Sequence, residues 1–255
     1  MRKQTVKPYP KWLCQLDTVD STNNYAIKLI EDGMAQHGTV VWALEQTAGK
    51  GQRGRKWETE PGQNIMMSLI IEPHKALASN PYHLNMLIPY VMADYFARRY
   101  QYWQVQIKWP NDIYINAKKS AGILIENIFR GSQWSYAIVG IGINVNQTAF
   151  PEHLSTATSL QKESGLAFDL LDIIQDLRAG ILNLLMQYGQ QPFEHFVQAY
   201  NSILLGRGQR MRFRLRDDDE IFEATVLEVD AEGLLHLQTA HGLFKCASGS
   251  LQWLF

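Results

Sequence analysis

The segment Gly49-Lys50-Gly51-Gln52-Arg53-Gly54-Arg55-Lys56-Trp57 places three glycines and four cations in nine residues, with no acid among them. Glycines expose backbone N–H groups and permit close approach, and the cations neutralise charge, so this composition suits a phosphate or carboxylate ligand. A mobile surface hairpin with solvated cations fits the composition equally well. Gln46, at the segment's entrance, offers a donor and an acceptor to a ligand amide, or simply faces water. In Lys108-Trp109-Pro110-Asn111-Asp112 a cation, a large aromatic and a helix breaker precede an amide–acid pair, which either satisfies its own turn or points into a cleft. Lys118-Lys119 stands before an apolar run, as a solvated turn or as a cation facing a transferring phosphoryl group. Gly140-Ile141-Gly142-Ile143-Asn144 puts two glycines into an apolar strand, which marks a bulge, tight packing or a ligand close to the backbone. Two familiar phosphate motifs are excluded: no G-x-x-x-x-G-K-[ST] occurs, and no G-x-G-x-x-G opens a helix after a strand.

These residues need elements to hold them. After a tail of about twelve residues, Leu13 to Val19 reads as a strand. Asp20-Ser21-Thr22-Asn23 carries N-cap chemistry for a helix over Tyr25 to Ile30, with Gly33 as its stop. Thr39 to Leu44 is a second strand with the glycine-rich segment hanging from its end, and Pro61-Gly62-Gln63 turns into a third over Asn64 to Ile71. His83 to Tyr100 is long enough to be a buried helix. A meander of short strands follows from Val105: VQIKWP, IYIN, AGILIENIF and WSYAIVGIGINV, with turns at Asn116-Ala117-Lys118 and Arg130-Gly131-Ser132-Gln133. Asp169 to Tyr188 carries one wide apolar helical face, and Phe193 to Ile203 is a further helix. Beyond Leu205-Gly206-Arg207-Gly208, short strands alternate with polar turns (DDDE, DAEG, AHG), which predicts a small β module over 206–255 after a main body over 1–205.

Composition narrows the function. The chain has 255 residues, 46% hydrophobic and 19% charged, with a net charge of −1. That is a globular composition without the overall basicity of a surface built for nucleic acid, so any cationic site must be local. The two cysteines, Cys14 and Cys246, lack metal-ligand spacing, and no signal peptide or membrane span is evident, which points to the cytoplasm.

Singly, each motif is weak, but their order is specific. STNNYA at 21–26, EQTAGKGQRGRKW at 45–57, KWPNDIYI at 108–115, KSAGILIE at 119–126 and GIGINVN at 140–146 together resemble the catalytic domain of biotin protein ligases. The resemblance runs motif by motif over residues 13 to about 150 and more weakly into the C-terminal module. It implies an α+β fold, with a mixed sheet flanked by helices like the core of class II aminoacyl-tRNA synthetases and a small C-terminal SH3-like barrel. It also implies the activity: biotin and ATP give biotinyl-5′-AMP and pyrophosphate, and the biotinyl group then passes to a lysine of a carboxylase's biotin carboxyl carrier domain.

By the same resemblance, Lys119 is the catalytic lysine, bridging the biotin carboxylate and the α-phosphate. Ser21, Thr22, Asn23 and Gln46 line the biotin pocket, with Gly122, Gly140 and Gly142 as its low floor. The Gly49–Trp57 segment is the adenylate-binding loop. Backbone N–H groups of Lys50, Gly51 and Gln52, with Arg53 and Arg55, meet carboxylate and phosphate, and Trp57 packs on adenine. Lys108, Asn111, Asp112 and Asn144 join the ATP side. The commonest loop of the family reads GRGRRGR, and Lys50 and Gln52 replace two of its arginines, which bears on how firmly the adenylate is retained. Mg²⁺ is expected with ATP, without a dedicated protein metal site. The motifs begin about 20 residues from the start, so sequence-specific DNA binding is not expected; a homodimer is an open possibility. The rivals are lipoate or octanoate transfer on the same kind of fold, and a module that binds biotin or an adenylate without catalysis.

Overall fold

The structure is a computed structural model that describes residues 9–216 and 220–255. Of the expected tail, residues 1–8 lie outside the described residues, as do Asp217 to Asp219 of the expected DDDE turn.

Seven strands form the main sheet: β1 Leu13–Val19, β2 Val40–Gln46, β3 Ile65–Ile71, β4 Val105–Lys108, β5 Asp112–Ile115, β6 Lys118–Arg130 and β7 Gln133–Ile143, in the order β1-β2-β3-β7-β6-β5-β4. β1 and β2 run parallel, joined by the crossover helix α1 (Thr22–Glu31), and every other pairing is antiparallel, so the sheet is mixed. Further helices are α2 Lys75–Ala78, α3 Leu84–Arg99, α4 Leu160–Ser164, α5 Leu170–Gln187 and α6 Phe193–Ser202.

Strand periodicity of two decides what each face does. In β3, Ile65, Met67, Leu69 and Ile71 enter the main core that α3 and α5 cover, and in β7 Ala137, Val139, Ile141 and Ile143 do the same. The alternate residues face α1, where Ile70 and Ile138 pack with Ala26, Ile30 and Val41 in a smaller cluster. α1 covers only part of this second face. Next to it the alternate positions are Met66 and Ser68 on β3 and Gly140 and Gly142 on β7, paired across the ladder as Met66↔Gly142 and Ser68↔Gly140, while Gly122 of β6 pairs with Gly142. Short side chains thus leave a depression in an otherwise packed sheet. On the opposite side α5 inserts Ile173, Ile174, Leu177, Ile181 and Leu185, all buried, each worth about 1.5–3 kcal/mol of burial.

The last five strands are β8 Arg210–Leu215, β9 Ile221–Val229, β10 Leu235–Thr239, β11 Gly242–Cys246 and β12 Leu251–Leu254. They pair antiparallel in the order β11-β10-β9-β8-β12. The expected small β module is therefore a five-stranded sheet whose described ladders leave β11 and β12 at the edges, rather than a closed barrel. Contacts with the main body hold it and the segment that leads into it. Ile107 of β4 exchanges backbone bonds with the segment after α6 (Ile107 N–H to Ile203 O, 2.8 Å; Leu205 N–H to Ile107 O, 2.9 Å). The Gly233 carbonyl, in the β9–β10 turn, accepts from Tyr82 Oη at 3.2 Å and from the Trp109 indole N–H at 3.1 Å.

Candidate active site

The depression is the floor of a cleft of about 420 Å³ lined by α1, β3, β6, β7, the glycine-rich segment and the C-terminal sheet. One end is polar and uncharged. The start of α1 brings Ser21, Thr22 and Asn23 to this end, all buried. Gln46, at the end of β2, accepts from the Thr22 backbone N–H (2.7 Å) and hydroxyl (3.1 Å). Ser68 Oγ lies 2.8 Å from Thr22 Oγ1 and donates to Asn23 Oδ1 at 2.5 Å, while Asn23 Nδ2 donates to Glu126 at 2.6 Å. Asn23 rests so closely on Gly140 that a Cβ there would stand 2.5 Å from Asn23 Oδ1. The sequence marked Ser21 as helix-capping chemistry. It does occupy the N-cap position, yet its side chain makes no cap hydrogen bond.

The other end is cationic. Lys119 Nζ lies 2.7 Å from Asp112 Oδ1, and Lys108 Nζ is 3.8 Å from Asp112 Oδ2, so one carboxylate serves two lysines. Lys108 is 17% exposed, and burial, opposed by Asp112 and aided by Lys119 and nearby arginines, lowers its pKa below the ordinary lysine range. Trp57 lies across the floor, where a Cβ at Gly142 would stand 2.7 Å from its Nε1 and one at Gly122 3.1 Å from its Cζ3, and Lys119 Nζ sits 5.6 Å from the indole centroid. The floor glycines therefore accommodate Asn23 and Trp57 here. Asn111 and Asn144 reach the cleft while their amides donate to Ile123 O (2.7 Å) and Thr158 O (3.0 Å).

The glycine-rich segment is folded on itself. Lys50 and Lys56 form an antiparallel bridge, Gly51 N–H donates to Arg55 O (2.6 Å), and Trp57 N–H donates to Gly49 O (3.0 Å). The Gly51 N–H, expected to be a ligand donor, is thus engaged within the loop. Lys50 Nζ donates to Asn24 Oδ1, whose amide donates to Asp20, both at 2.5 Å. Asp20 is held below the usual carboxylate range, chiefly by that Asn24 bond.

All but one of the residues to which the resemblance assigns a site role line this cleft. The exception, Gly49, is buried beneath it, and a Cβ there would stand 2.7 Å from Trp57 O, so it shapes the hairpin rather than facing a ligand. Sequence reasoning missed Ser68, Glu126 and the contribution of the C-terminal sheet: Arg216, Gly249, Trp253 and Phe255. Among the described residues, Lys50, Arg53, Arg55, Lys56, Lys108, Lys119 and Arg216 meet only Glu58 and Asp112 around the cleft. In a chain of net charge −1 this concentrates positive potential where an anion would lie. Cysteine chemistry is remote: burial pushes the Cys246 thiol up to about 12, and neither cysteine lines the cleft.

Chemically, the arrangement can seat a neutral polar ring system at one end and a polyanion at the other, where Lys119 and Lys108 stand. Comparison with known proteins agrees. A sequence profile described as the biotin/lipoate A/B protein ligase family matches residues 16–144. The chain is 36% identical to the bifunctional ligase/repressor BirA of Bacillus spizizenii, over 92% of this chain and 72% of the relative. It is 31% identical to the biotin–[acetyl-CoA-carboxylase] ligase of Paracoccus denitrificans, over 89% of this chain and 94% of that one. The solved structure of the biotin protein ligase from Aquifex aeolicus in complex with biotin and ATP superposes with a TM-score of 0.80 at 26% identity, covering 96% of this chain and 99% of that one. With a matching family profile, relatives similar over most of their length and a shared fold, the chain belongs to the biotin/lipoate A/B protein ligase family.

Proposed function

We propose that this protein is an ATP-dependent biotin–protein ligase. The biotin carboxylate oxygen attacks the α-phosphate of ATP, forming the acyl adenylate and releasing pyrophosphate. A lysine amine of a biotin carboxyl carrier domain then attacks the acyl carbon, forming an amide, losing a proton and releasing AMP. The observation that carries this reading is that one cleft brings the polar groups of Thr22, Asn23 and Gln46 together with the cations Lys108, Lys119, Arg53 and Arg55.

The physical demands match. Carboxylate and α-phosphate repel each other, and Lys119, with Arg53 and Arg55 nearby, neutralises the charge that redistributes between them. Ser21, Thr22, Asn23 and Gln46 suit a cyclic urea, which needs donors and acceptors but no charge. Trp57 would exchange its present packing on Gly122 and Gly142 for packing on the ligand as the loop closes. Closure keeps water from a hydrolysable intermediate. Mg²⁺ would travel on the phosphates, since Asp112, a carboxylate of the cleft, already serves two lysines.

Residues 1–205 would form the catalytic domain and 206–255 an SH3-like module in this reading. Among the described residues no helix is long and apolar enough to cross a membrane, and two free cysteines suit a cytoplasmic setting.

Pyrophosphate exchange with biotin and with lipoate as alternative acids tests the substrate, and a streptavidin blot of a carrier domain tests the transfer. Exchange that needs lipoate and ignores biotin makes the protein a lipoate ligase. Binding without exchange or labelling makes it a non-catalytic module.

A further inference from the structure

Arg53 stands at the tip of the cationic loop with φ 58° and ψ 43°, a backbone conformation unfavourable for any residue with a Cβ. Such a conformation persists only where the surroundings hold it. The loop's own bonds hold its backbone, Gly51 N–H to Arg55 O at 2.6 Å and Arg55 N–H to Gln52 O at 3.3 Å, while the other sheet meets the Arg53 side chain. The Arg53 guanidinium lies against the backbone of Gly249, in the turn between β11 and β12, and a Cβ on Gly249 would fall inside the space of Arg53 Nη2, Cζ and Nε. That turn is braced: the Ser250 N–H and hydroxyl both donate to Ala247 O, at 3.1 and 2.9 Å, and Ser250 O accepts the Arg216 N–H at 3.0 Å. The sheet that carries it is pinned through Gly233 O to Tyr82 and to Trp109, beside Lys108.

We infer that Gly249 is a positioning residue: its missing side chain makes the seat on which the Arg53 side chain rests, and through that contact the C-terminal sheet sets the position from which the cationic loop closes. The inference rests on the ligase reading for its catalytic consequence, since a loop displaced by even an ångström would hold an acyl adenylate poorly. Its structural content stands without it.

Two readouts on the full chain test it. In hydrogen–deuterium exchange of the ligand-free protein, Gly249→Ala should speed exchange across residues 49–57 by about tenfold, the loss of one modest contact. Gly208→Ala is the control, because Gly208 has a similar backbone (φ +75°) but nothing within 4 Å of its would-be Cβ; it should leave the loop as in the wild type. With biotin and ATP, Gly249→Ala should release biotinyl-AMP roughly ten- to a hundredfold faster, with biotin affinity changed less than about twofold. In an Arg53→Ala background the same substitution should add nothing. Unchanged loop exchange in Gly249→Ala, or effects of the two substitutions that multiply, overturns the inference. Should Gly249→Ala fail to fold, Arg53→Ala must raise exchange at residues 247–250 as well as in the loop, and an unaltered turn overturns the inference instead. If the wild type forms no biotinyl-AMP, the ligase reading fails while the exchange readout still decides this one.

Discussion

The two ends of the cleft are built on opposite plans. At the uncharged end Thr22, Asn23, Gln46 and Ser68 are bonded to one another, Asn23 also donates to the Glu126 carboxylate, which does not line the cleft, and Thr22, Asn23 and Ser68 are at most 3% exposed. At the cationic end the loop residues Lys50, Arg53, Arg55 and Lys56 are exposed, and their hairpin is held by a few backbone bonds and by contacts with distant elements. A preformed network suits a rigid neutral ligand, because ordering has been completed before it arrives. An exposed loop suits a charged, short-lived species that must enter and then be covered. The difference predicts that changes at the uncharged end act on stability and biotin affinity, whereas changes at the cationic end act on rate and retention.

Four substitutions probe that division, in falling order of expected effect. Lys119→Ala should slow adenylate formation by at least about 100-fold, the scale for losing one group that stabilises developing charge, with biotin affinity within a few-fold of wild type. Pyrophosphate-release kinetics paired with biotin calorimetry would show it, and wild-type turnover would remove Lys119 from the chemistry. Asn23→Ala should cost about 1–3 kcal/mol of folding stability by urea denaturation, since Glu126 and Ser68 lose a buried partner, and should weaken biotin binding as well. A variant as stable as the parent would mean that the network is dispensable.

Lys108 offers a pH test. Desolvation disfavours its charged form, so it loses its proton below the ordinary lysine range. The cationic end therefore weakens as pH rises through that value, while folding stability rises there, because the unfolded chain holds the proton more tightly. Adenylate formation should fall early on the alkaline side, and Lys108→Arg, which keeps its charge, should move that limb upward; coincident limbs would exclude Lys108. Gln52→Arg should have the smallest effect, slowing biotinyl-AMP release by about two- to fivefold through one added exposed cation. Faster release would reverse the assigned role of the loop.

Much of this was legible in the sequence because it is periodic. The alternation of β6 and β7 and the apolar face of α5 mark the main body, and the ordered motifs mark the cleft. What escaped has physical reasons. Ser68 lies in IMMSLII, a run buried at every position, so nothing in its pattern tells a hydroxyl that supports Thr22 and Asn23 from core filler. β12 is four residues at the chain end, too short for alternation to register. Gly249 looks like any turn glycine until Arg53 is seen beside it. The first residues of α1 read as capping chemistry by themselves and as pocket lining only through the resemblance; the fold sets Thr22 and Asn23 against Gln46 and Ser68.

The carbonyl of Gly233 has one more consequence. Because it holds both Tyr82 and Trp109, and because one hydrophobic cluster runs from Leu13 through Trp109 to Phe213 and Trp253, the C-terminal sheet cannot detach without unsealing the main core. The two sheets should melt as one cooperative unit, with a single transition by every probe. For this molecule, loss of the smaller sheet and loss of the cleft are one event.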